Sequence, residues 1–596
     1  MKKITKYAFF FTIFIVMILF KNTNAQTLSW ARNWNSTSQQ IDKAYAVTTD
    51  ASGNVYTTGV ANESSYRYIE TIKYNSTGTQ QWATAYPTSQ TSGMNYGLAI
   101  AVDSKGNVWV AGSTYDATYY NDLTLIKYSP GGAVQTGSGY PKRYHDASGM
   151  SNWVRGTCIA VYDSNNVYVA GSTFDGTYWK LTVLKDNLNN ANWGWSNAPY
   201  TYIGSTTIGE ASDLKINANN TALYVCGTIG TGTQGKNMLT AKLNPSTGAA
   251  SWATAYNSSN TNDDVASALA FDGDGYVYVA GYTNTNSAQS KDAVLLRYNS
   301  TGSIQTGYPV VYNSSNGYDD WWSDISVGNK VPQGYYPVYV GGTTTDSLSS
   351  GEVVDQDYLL GAYRSTTGAS YWSPNPITYN GSHASPEQSG TDQGWAVDYE
   401  PTTNRIYISG RSDETTTRTN ITTVGYNAAT GAKVWGAYSY DYNYDTQIGA
   451  DDIFWKYSLV TKYSAAYCID DIFVVGESYV ATHSFDFLTL KYDCPSCTPC
   501  YGPIGEKLAN TSDEVQTGLY PNPFSIETIL YIDPELPLNN ASLLIFDNTG
   551  KVVRTNTNIN SDGLIIKRDN LNSGIYFYQF INNGKILSSG KLMIID

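Results

Sequence analysis

One short phrase recurs along the chain and constrains its fold more than any other feature. Residues 271–283 read FDGDGYVYVAGYT, and similar phrases stand at 102–114 and 161–173. Each joins a turn to an apolar run that ends on glycine. Aligning the strong and weak copies on that glycine gives eight positions, at Gly59, Gly112, Gly171, Gly227, Gly281, Gly342, Gly410 and Gly476.

The spacing of these glycines predicts the repeating unit. Successive positions lie 53 to 68 residues apart, which is too long for a solenoid coil and fits a four-stranded propeller blade. In the second unit, three strands are expected at 98–102, 108–113 and 123–128. Both faces of VYVAG are apolar or aromatic, as expected for sheets packed face to face. The glycine then marks a close approach of backbones.

The two ends of the repeat region are complementary. The eighth unit stops near residue 493 without a fourth strand, whereas LSWARNW at 28–34 matches the fourth strands QQWATAY (80–86) and ASWATAY (250–256). An N-terminal strand that completes the last blade would close the ring and remove its exposed edges. The fold class predicted is therefore all-β, an eight-bladed β-propeller over 26–493 followed by a small β-sandwich C-terminal domain.

The repeat resembles the bacterial beta-propeller repeat family, of SBBP type, whose signature is D-x-x-G-N-V-Y-V-A-G. The resemblance covers about residues 28–493 and implies the fold without naming a function.

The first 25 residues are predicted to be a secretory signal peptide. Three lysines precede an apolar run at 8–20, and small residues follow at 23–25. No other segment is apolar enough to be a membrane span. Cleavage would remove four lysines and change the net charge of −14 to about −18, that is −14 minus 4. An acidic surface argues against nucleic acid and anionic membranes as partners.

The C-terminal segment has a different composition. Residues 494–515 form a linker rich in Cys, Pro and Gly, and 516–596 contain short strand-like runs around the hairpin turn DNTGK. This segment resembles the C-terminal sorting domain of type IX secretion, and the matching residues are Tyr520, Pro521, Asn522, Pro523, Gly550, Lys551, Gly574, Ile575, Tyr576, Gly590 and Lys591. The resemblance implies crossing of the outer membrane by that machinery, so we expect the chain to be exported across both membranes of a Gram-negative bacterium. The family tends to end on a basic residue and this chain ends MIID, which leaves release and surface attachment both open.

Catalytic motifs are absent from the sequence. The three histidines, His145, His383 and His483, fall in different repeats, and no nucleophile elbow, zinc-protease motif or phosphate loop occurs. Cys158 and Cys226 are expected to be buried thiols. In an exported chain we expect disulfides among Cys468, Cys494, Cys497 and Cys500, since a zinc site there would lack its fourth ligand.

Carboxylates and amides recur where the first strand of each unit begins. They are Asp42, Asn95, Asn152, Glu210, Asp264, Asp320, Asp392 and Asp452. One interpretation is that each accepts backbone N–H bonds from its own loop. The other is a calcium ion held at the channel mouth by some of Asp42, Asp264, Asp320, Asp392 and Asp452; no other cofactor is expected.

The long connections suggest where a ligand would bind. Those at 114–122, 257–264 and 313–320 are variable, rich in Tyr, Asn and Asp, and open on one face. We therefore expect a monomeric, non-catalytic binding or scaffold protein for a polysaccharide or a cell-surface protein. The alternative is a polysaccharide-active hydrolase or lyase, because a glycosidase needs only two well-placed carboxylates.

Overall fold

The chain forms two compact units, 1–495 and 496–596, in the computed structural model. The structure describes residues 27–36, 41–63, 66–87, 95–116, 120–137, 139–144, 158–187, 193–195, 199–202, 208–230, 235–258, 263–284, 290–314, 318–347, 354–381, 391–413, 419–440, 459–464, 469–480, 484–495, 517–520, 527–532, 538, 541–547, 551–559 and 563–594. These residues form strands and turns, and they include no helix of the length and apolarity that a membrane crossing requires. The predicted signal peptide lies outside the described residues.

The described part of the first unit contains 32 strands. In chain order they are β1 Thr27–Trp34, β2 Lys43–Thr49, β3 Val55–Glu63, β4 Tyr66–Tyr74, β5 Gln80–Tyr86, β6 Tyr96–Val102, β7 Val108–Asp116, β8 Tyr120–Tyr128, β9 Lys142–Tyr144, β10 Cys158–Asp163, β11 Asn166–Phe174, β12 Trp179–Lys185, β13 Tyr200–Tyr202, β14 Gly209–Ile216, β15 Leu223–Gly230, β16 Lys236–Leu243, β17 Ala250–Tyr256, β18 Asp264–Phe271, β19 Val277–Thr283, β20 Asp292–Tyr298, β21 Val310–Tyr312, β22 Trp321–Val327, β23 Pro337–Ser347, β24 Val354–Arg364, β25 Ile377–Tyr379, β26 Gln393–Glu400, β27 Arg405–Asp413, β28 Thr419–Asn427, β29 Lys433–Tyr440, β30 Leu459–Ser464, β31 Ile469–Val480 and β32 Ser484–Pro495.

Within the described residues these strands form eight four-stranded antiparallel sheets. Sheets 1 to 7 each use four consecutive strands, from β2–β5 to β26–β29, and sheet 8 has the order β1-β32-β31-β30. In every sheet the connections between the first and second strands and between the third and fourth lie at one end, called here the turn end. The other connections lie at the opposite end, the loop end.

Each sheet packs on the next through an apolar cluster, and sheet 8 packs on sheet 1. Sheets 4 and 5, for example, share Cys226, Leu269 and Val279, whereas sheets 8 and 1 share Val55 and Phe473. The prediction of an all-β chain with repeated, propeller-like four-stranded sheets is therefore confirmed.

The recurring turn is built around its aspartate. In sheet 5, Asp272 Oδ1 accepts the backbone N–H groups of Asp274 and Tyr276, each at 3.0 Å, and Asp272 Oδ2 accepts the hydroxyl of Tyr278 at 2.7 Å. Gly275 takes the left-handed conformation that the turn needs, at φ 84°. Asp50 and Asp103 make equivalent bonds in sheets 1 and 2. There the aromatic donors are the hydroxyl of Tyr56 and the indole N–H of Trp109. The phrase recurs because the turn and the buried aromatic side chain of the second strand depend on each other.

The glycine that ends the phrase faces a bulge in the first strand. A Cβ atom at Gly281 would lie 2.0 Å from the carbonyl oxygen of Val265, and the register of β18 shifts between Ala266 and Ala268. The same contact, at 1.9 to 2.0 Å, occurs in five further sheets, at Gly59, Gly112, Gly227, Gly342 and Gly410. The predicted close approach of backbones is thus confirmed, because a side chain at these positions would push the two inner strands apart.

A tryptophan in the outer strand, or in the connection that leads to it, locks each of several sheets to the next. Trp82 Nε1 donates to the carbonyl oxygen of Pro130 at 3.1 Å, and its ring lies against Gly132 in the third-to-fourth connection of sheet 2. Trp195 and Trp372 repeat the bond and the glycine contact, and Trp252 repeats the glycine contact.

The N-terminal strand supplies the equivalent contact for sheet 8. As the sequence predicted, the N-terminal strand β1 joins the last sheet, where it pairs antiparallel with β32 and places Trp34 opposite Phe487. Trp30 Nε1 donates to the carbonyl oxygen of Ser76 at 3.3 Å, and the Trp30 ring lies against Gly78 of sheet 1. The first strand of the chain thus completes the last sheet and carries its tryptophan lock.

The second unit is a separate pair of sheets. Its described strands are β33 Thr517–Tyr520, β34 Glu527–Ile532, β35 Ala541–Phe546, β36 Val552–Ile559, β37 Gly563–Lys567, β38 Gly574–Asn582 and β39 Lys585–Ile594. The sheet orders are β33-β34-β37 and β36-β35-β38-β39. The two sheets share one core, in which Leu530 and Ile566 of the first meet Leu543, Phe580 and Leu592 of the second.

Candidate functional site

Buried aspartates at the start of the first strands hold the loop end together. In sheet 5, Asp264 Oδ2 accepts the backbone N–H of Ser258 at 3.0 Å, and Asp264 Oδ1 accepts the hydroxyl of Thr283. In sheet 6, Asp320 accepts the N–H of Ser314 and the hydroxyl of Thr344, both at 2.6 Å. Each side chain therefore ties the loop that enters its sheet to the end of the second strand.

The same arrangement recurs in sheets 1, 2 and 7. Asp42 accepts backbone N–H groups from Ser36 at 2.6 Å and from Asn62 at 2.7 Å. Asn95 accepts the N–H of Tyr115 at 2.8 Å, and Asp392 accepts that of Gly381 at 2.6 Å. We call Asp42, Asn95, Asp264, Asp320 and Asp392 the loop clamps.

Three of the clamps can be recognised in the sequence by a short motif that precedes them. An Asn-Ser pair places its serine six residues before Asp42, Asp264 and Asp320. In each case that serine is the backbone donor to the clamp carboxylate.

Glu210 does not occupy a clamp position. It stands one residue before Ala211, which pairs with Gly227, whereas Asp264 stands two residues before the alanine that pairs with Gly281. Asn152 and Asp452 lie outside the described residues.

Burial is the main influence on the pKa values of three clamp aspartates. It raises the pKa of Asp42 from 3.8 to about 6, while the N–H donors of Ser36 and Asn62 oppose the change. Burial likewise raises the pKa of Asp264 and of Asp320 against their hydroxyl and N–H donors.

These contacts favour loop support over calcium binding. The clamp oxygens already accept bonds from backbone N–H groups and hydroxyls, and an asparagine serves the same purpose in sheet 2. Among the residues that the structure describes, no group of three or more His, Cys, Asp or Glu side chains is arranged to hold a metal ion.

Side chains with binding chemistry lie beside the clamps in sheets 4 to 6. Lys291 Nζ is 3.2 Å from Asp319 Oδ2, and it lies 5.3 Å from the ring centres of both Tyr282 and Trp321. Lys236 forms the equivalent pair with Asp263 one sheet earlier, at 3.5 Å. We call Lys236, Asp263, Tyr282, Lys291, Asp319 and Trp321 the loop-end site.

The loop-end site is partly open to solvent. The side chains of Lys291 and Asp319 are 37% and 40% exposed, and the Tyr282 and Trp321 rings are half-buried. Burial, with the charges of Asp263 and Asp319, raises the pKa of Tyr282 to about 12, so its hydroxyl stays protonated and can donate a hydrogen bond. Aromatic rings beside paired charges suit the stacking and hydrogen bonding of a polar ligand.

A second set of carboxylates lies on the inner strands and has a structural task. Asp213, Asp324 and Asp398 accept backbone N–H groups of the following sheet's first strand, from Leu269 at 3.1 Å, Val397 at 3.0 Å and Thr461 at 2.8 Å. Lys215 Nζ lies 3.7 Å from Asp213 Oδ2. Burial, together with the charge of Asp324, raises the pKa of Asp398 to about 6. These side chains satisfy inner edges that would otherwise lack partners.

The cysteine and histidine predictions are only partly covered. Cys158 and Cys226 are buried thiols, as expected. Cys468, Cys497, Cys500 and the three histidines lie outside the described residues, as does the side chain of Cys494. The disulfide prediction therefore stays a prediction.

The sorting-domain residues occupy structural positions in the second unit. Tyr576 is buried in the core, and its hydroxyl donates to the carbonyl oxygen of Asn572 at 3.0 Å. Lys551 N–H donates to Asp547 Oδ1 at 3.1 Å in the hairpin, and Lys591 pairs across the sheet with Phe577. Gly574 begins β38 and Gly590 lies in β39. Pro521, Asn522, Pro523, Gly550 and the Tyr520 side chain fall outside the described part of the chain.

Comparison with protein families identifies the second unit. Residues 518–595 match the family described as secretion system C-terminal sorting domain. The chain therefore carries a type IX sorting domain, as the sequence predicted, which indicates export and a secreted or cell-surface location. No curated protein matches the chain.

Solved structures with a similar arrangement of sheets are distant. Sqt1 from Saccharomyces cerevisiae is 11% identical, with a TM-score of 0.43, over 78% of this chain and 99% of that one. Sqt1 from Chaetomium thermophilum, bound to the N-terminus of ribosomal protein L10, is 9% identical, with a TM-score of 0.41, over 76% and 98%. The polysaccharide lyase Uly1 is 8% identical, with a TM-score of 0.36, over 77% and 91%. Similarity this low carries no argument about function.

Proposed function

We propose that this protein is an exported, non-catalytic binding protein whose loop-end site recognises a polysaccharide or a cell-surface protein. In this proposal residues 1–25 are a signal peptide, 26–493 an eight-bladed β-propeller of the SBBP type, 494–515 a linker and 516–596 a β-sandwich sorting domain. The sorting domain delivers the propeller across the outer membrane of a Gram-negative bacterium. The mature chain acts as a monomer, with disulfides among Cys468, Cys494, Cys497 and Cys500.

Two features support the eight-bladed propeller. Successive sheets share apolar clusters from sheet 1 to sheet 8, and sheet 8 shares one with sheet 1. The N-terminal strand supplies the outer strand of sheet 8 together with its tryptophan lock. A closed ring of this kind covers the facing surfaces of its first and last blades and leaves only short, protected edges.

The observation that carries the binding proposal is the arrangement around Lys291. Two half-buried rings, Tyr282 and Trp321, flank an ammonium group that Asp319 holds in place. The rings and the paired charges are partly exposed together at the loop end. The neighbouring clamp carboxylates are buried and accept hydrogen bonds from backbone N–H groups. A surface of this kind can bind a ligand by stacking and hydrogen bonding, and it needs no pair of catalytic acid and base to do so.

The proposal is tested by ligand binding with two matched variants. Mature protein is applied to an array of bacterial, algal and plant glycans, and the strongest ligand is then titrated by calorimetry. Tyr282→Ala and Trp321→Ala should each raise Kd about tenfold or more, which is about 1.4 kcal/mol. Tyr162→Ala, at a tyrosine that is 44% exposed on strand β10, is the control and should leave Kd unchanged. Equal binding by all four proteins would contradict the assignment of the site.

A further inference from the structure

A second group of half-buried tyrosines lies at the turn end of sheets 5 to 7, opposite the loop-end site. Its members are Tyr276, Tyr335, Tyr336, Tyr371 and Tyr399, which we call the tyrosine patch. The long connections that suggested a ligand site in the sequence lie at the opposite end of the sheets.

An extended connection in sheet 6 builds the patch. Nine residues, 328–336, join β22 to β23, whereas five join the first two strands in sheets 1, 2 and 5. This connection is fixed to sheet 5, because Asp274 pairs with Lys330 at 2.8 Å and accepts the Tyr336 hydroxyl at 3.2 Å. It is also fixed to its own sheet, because Tyr336 N–H donates to Ser365 Oγ at 2.8 Å.

Tyr335 is the centre of the patch. The Tyr371 ring meets it edge-on at 5.9 Å, with an angle of 77° between the planes. The guanidinium of Arg364 lies 5.5 Å from the centre of the Tyr335 ring. Tyr399 stacks on the buried Tyr339 at 5.5 Å, and its hydroxyl donates to Asn404 Oδ1 at 3.0 Å. The rings are therefore held in fixed positions before any ligand arrives.

The charge available to a ligand in the patch is positive. Asp274 neutralises Lys330, and Arg297 is buried face to face with Tyr276, 3.6 Å from the ring centre. Arg364 is exposed, and none of the described carboxylates pairs with it. Its guanidinium can therefore attract an anionic group.

We propose that the tyrosine patch binds an acidic polysaccharide, one whose sugars carry carboxylates. A sugar ring stacks on Tyr335 beside Tyr371, as aromatic rings do with the apolar face of a saccharide. The sugar carboxylate accepts hydrogen bonds from two N–H groups of Arg364, since the planar guanidinium matches a carboxylate in a bidentate pair. This site is independent of the loop-end site, which lies at the other end of the sheets.

The test uses the mature protein with oligogalacturonate and oligoalginate as probes. The neutral controls are oligogalacturonate methyl ester and carboxyl-reduced alginate. Calorimetry should show binding of at least one acidic probe and Kd at least about tenfold higher for its neutral form. Failure of both acidic probes to bind, or equal binding of acidic and neutral forms, would overturn the proposal.

Four variants assign the binding to particular side chains. Tyr335→Ala and Arg364→Gln should each raise Kd for the acidic probe about tenfold, whereas Tyr335→Phe, which keeps the ring, should bind like the parent protein. Tyr162→Ala, at an exposed tyrosine of strand β10 that belongs to neither site, should leave this binding unchanged. Melting temperatures verify that each variant is folded. Binding that survives both Tyr335→Ala and Arg364→Gln would contradict the proposal.

Discussion

Replacing Trp30 by alanine is expected to lower the free energy of unfolding of the first unit by about 3–5 kcal/mol, as for other buried tryptophans. Trp30 is 6% exposed, and its ring lies 5.8 Å from that of Tyr74 and 6.3 Å from that of Phe473. It therefore joins sheet 8 to sheet 1, which come from opposite ends of the first unit. The loss of its N–H bond to Ser76 accounts for about 1 kcal/mol of the total.

The assay is urea unfolding of the mature protein. The change in the free energy of unfolding is obtained from the shift of the transition midpoint. Trp30→Phe keeps a ring and loses only the N–H donor, so its effect should be about 1 kcal/mol. Trp82→Ala is the matched internal control, because Trp82 makes the same contacts between sheets 1 and 2 from a more exposed position. Hydrogen exchange should show faster exchange in β1 and β32 for Trp30→Ala alone. A loss of unfolding free energy below about 1 kcal/mol for Trp30→Ala would refute the reasoning that this side chain joins sheet 8 to sheet 1.

Three further perturbations follow from the fold. Asp320→Ala should lower the free energy of unfolding by about 2–3 kcal/mol, because the Ser314 N–H loses its acceptor. Asp320→Asn should lower it by only about 1 kcal/mol, because Asn95 serves as a clamp in sheet 2. Equal shifts in melting temperature for the two variants would contradict the clamp. Gly281→Ala should cost about 1–3 kcal/mol through its clash with the Val265 carbonyl, whereas Gly137→Ala, with open space around it, should change stability by less than about 0.5 kcal/mol in the same melts. Acidification from about pH 7 to about pH 5 should raise the melting temperature, because Asp42 and Asp398 have folded-state pKa values of about 6 against 3.8, so the folded chain binds more protons in that window. The turn aspartates Asp50 and Asp103, whose pKa values are lowered, reverse the trend only below about pH 4, and a melting temperature that falls steadily from pH 7 would contradict the assignment.

Much of the fold follows from local patterns in the sequence. The turn aspartate, the positive-φ glycine and the buried aromatic residue stand within seven residues of one another, so a repeated phrase predicts a repeated turn and strand. The fourth strands at 80–86 and 250–256 have the predicted bounds, because the tryptophan that locks each sheet is itself part of the pattern.

The candidate sites are harder to predict because their residues come from different sheets. Lys291, Tyr282 and Trp321 belong to two sheets and no local motif joins them. Tyr335 and Tyr371 are 36 positions apart and meet only because both are at the turn end of sheet 6. Strand β37 is hard to predict from the sequence, since GLIIK lacks the alternation that identifies a strand with one solvated face.

The central claim is tested most directly by following binding and turnover in one experiment. Mature protein is incubated with a panel of bacterial, algal and plant polysaccharides, and both the bound fraction and the released oligosaccharides are measured. We expect retention on at least one polysaccharide, weaker retention of the Tyr282→Ala Trp321→Ala double variant, and no release of products beyond that of a heat-inactivated sample. Release of defined oligosaccharides would establish the hydrolase or lyase alternative and contradict the account.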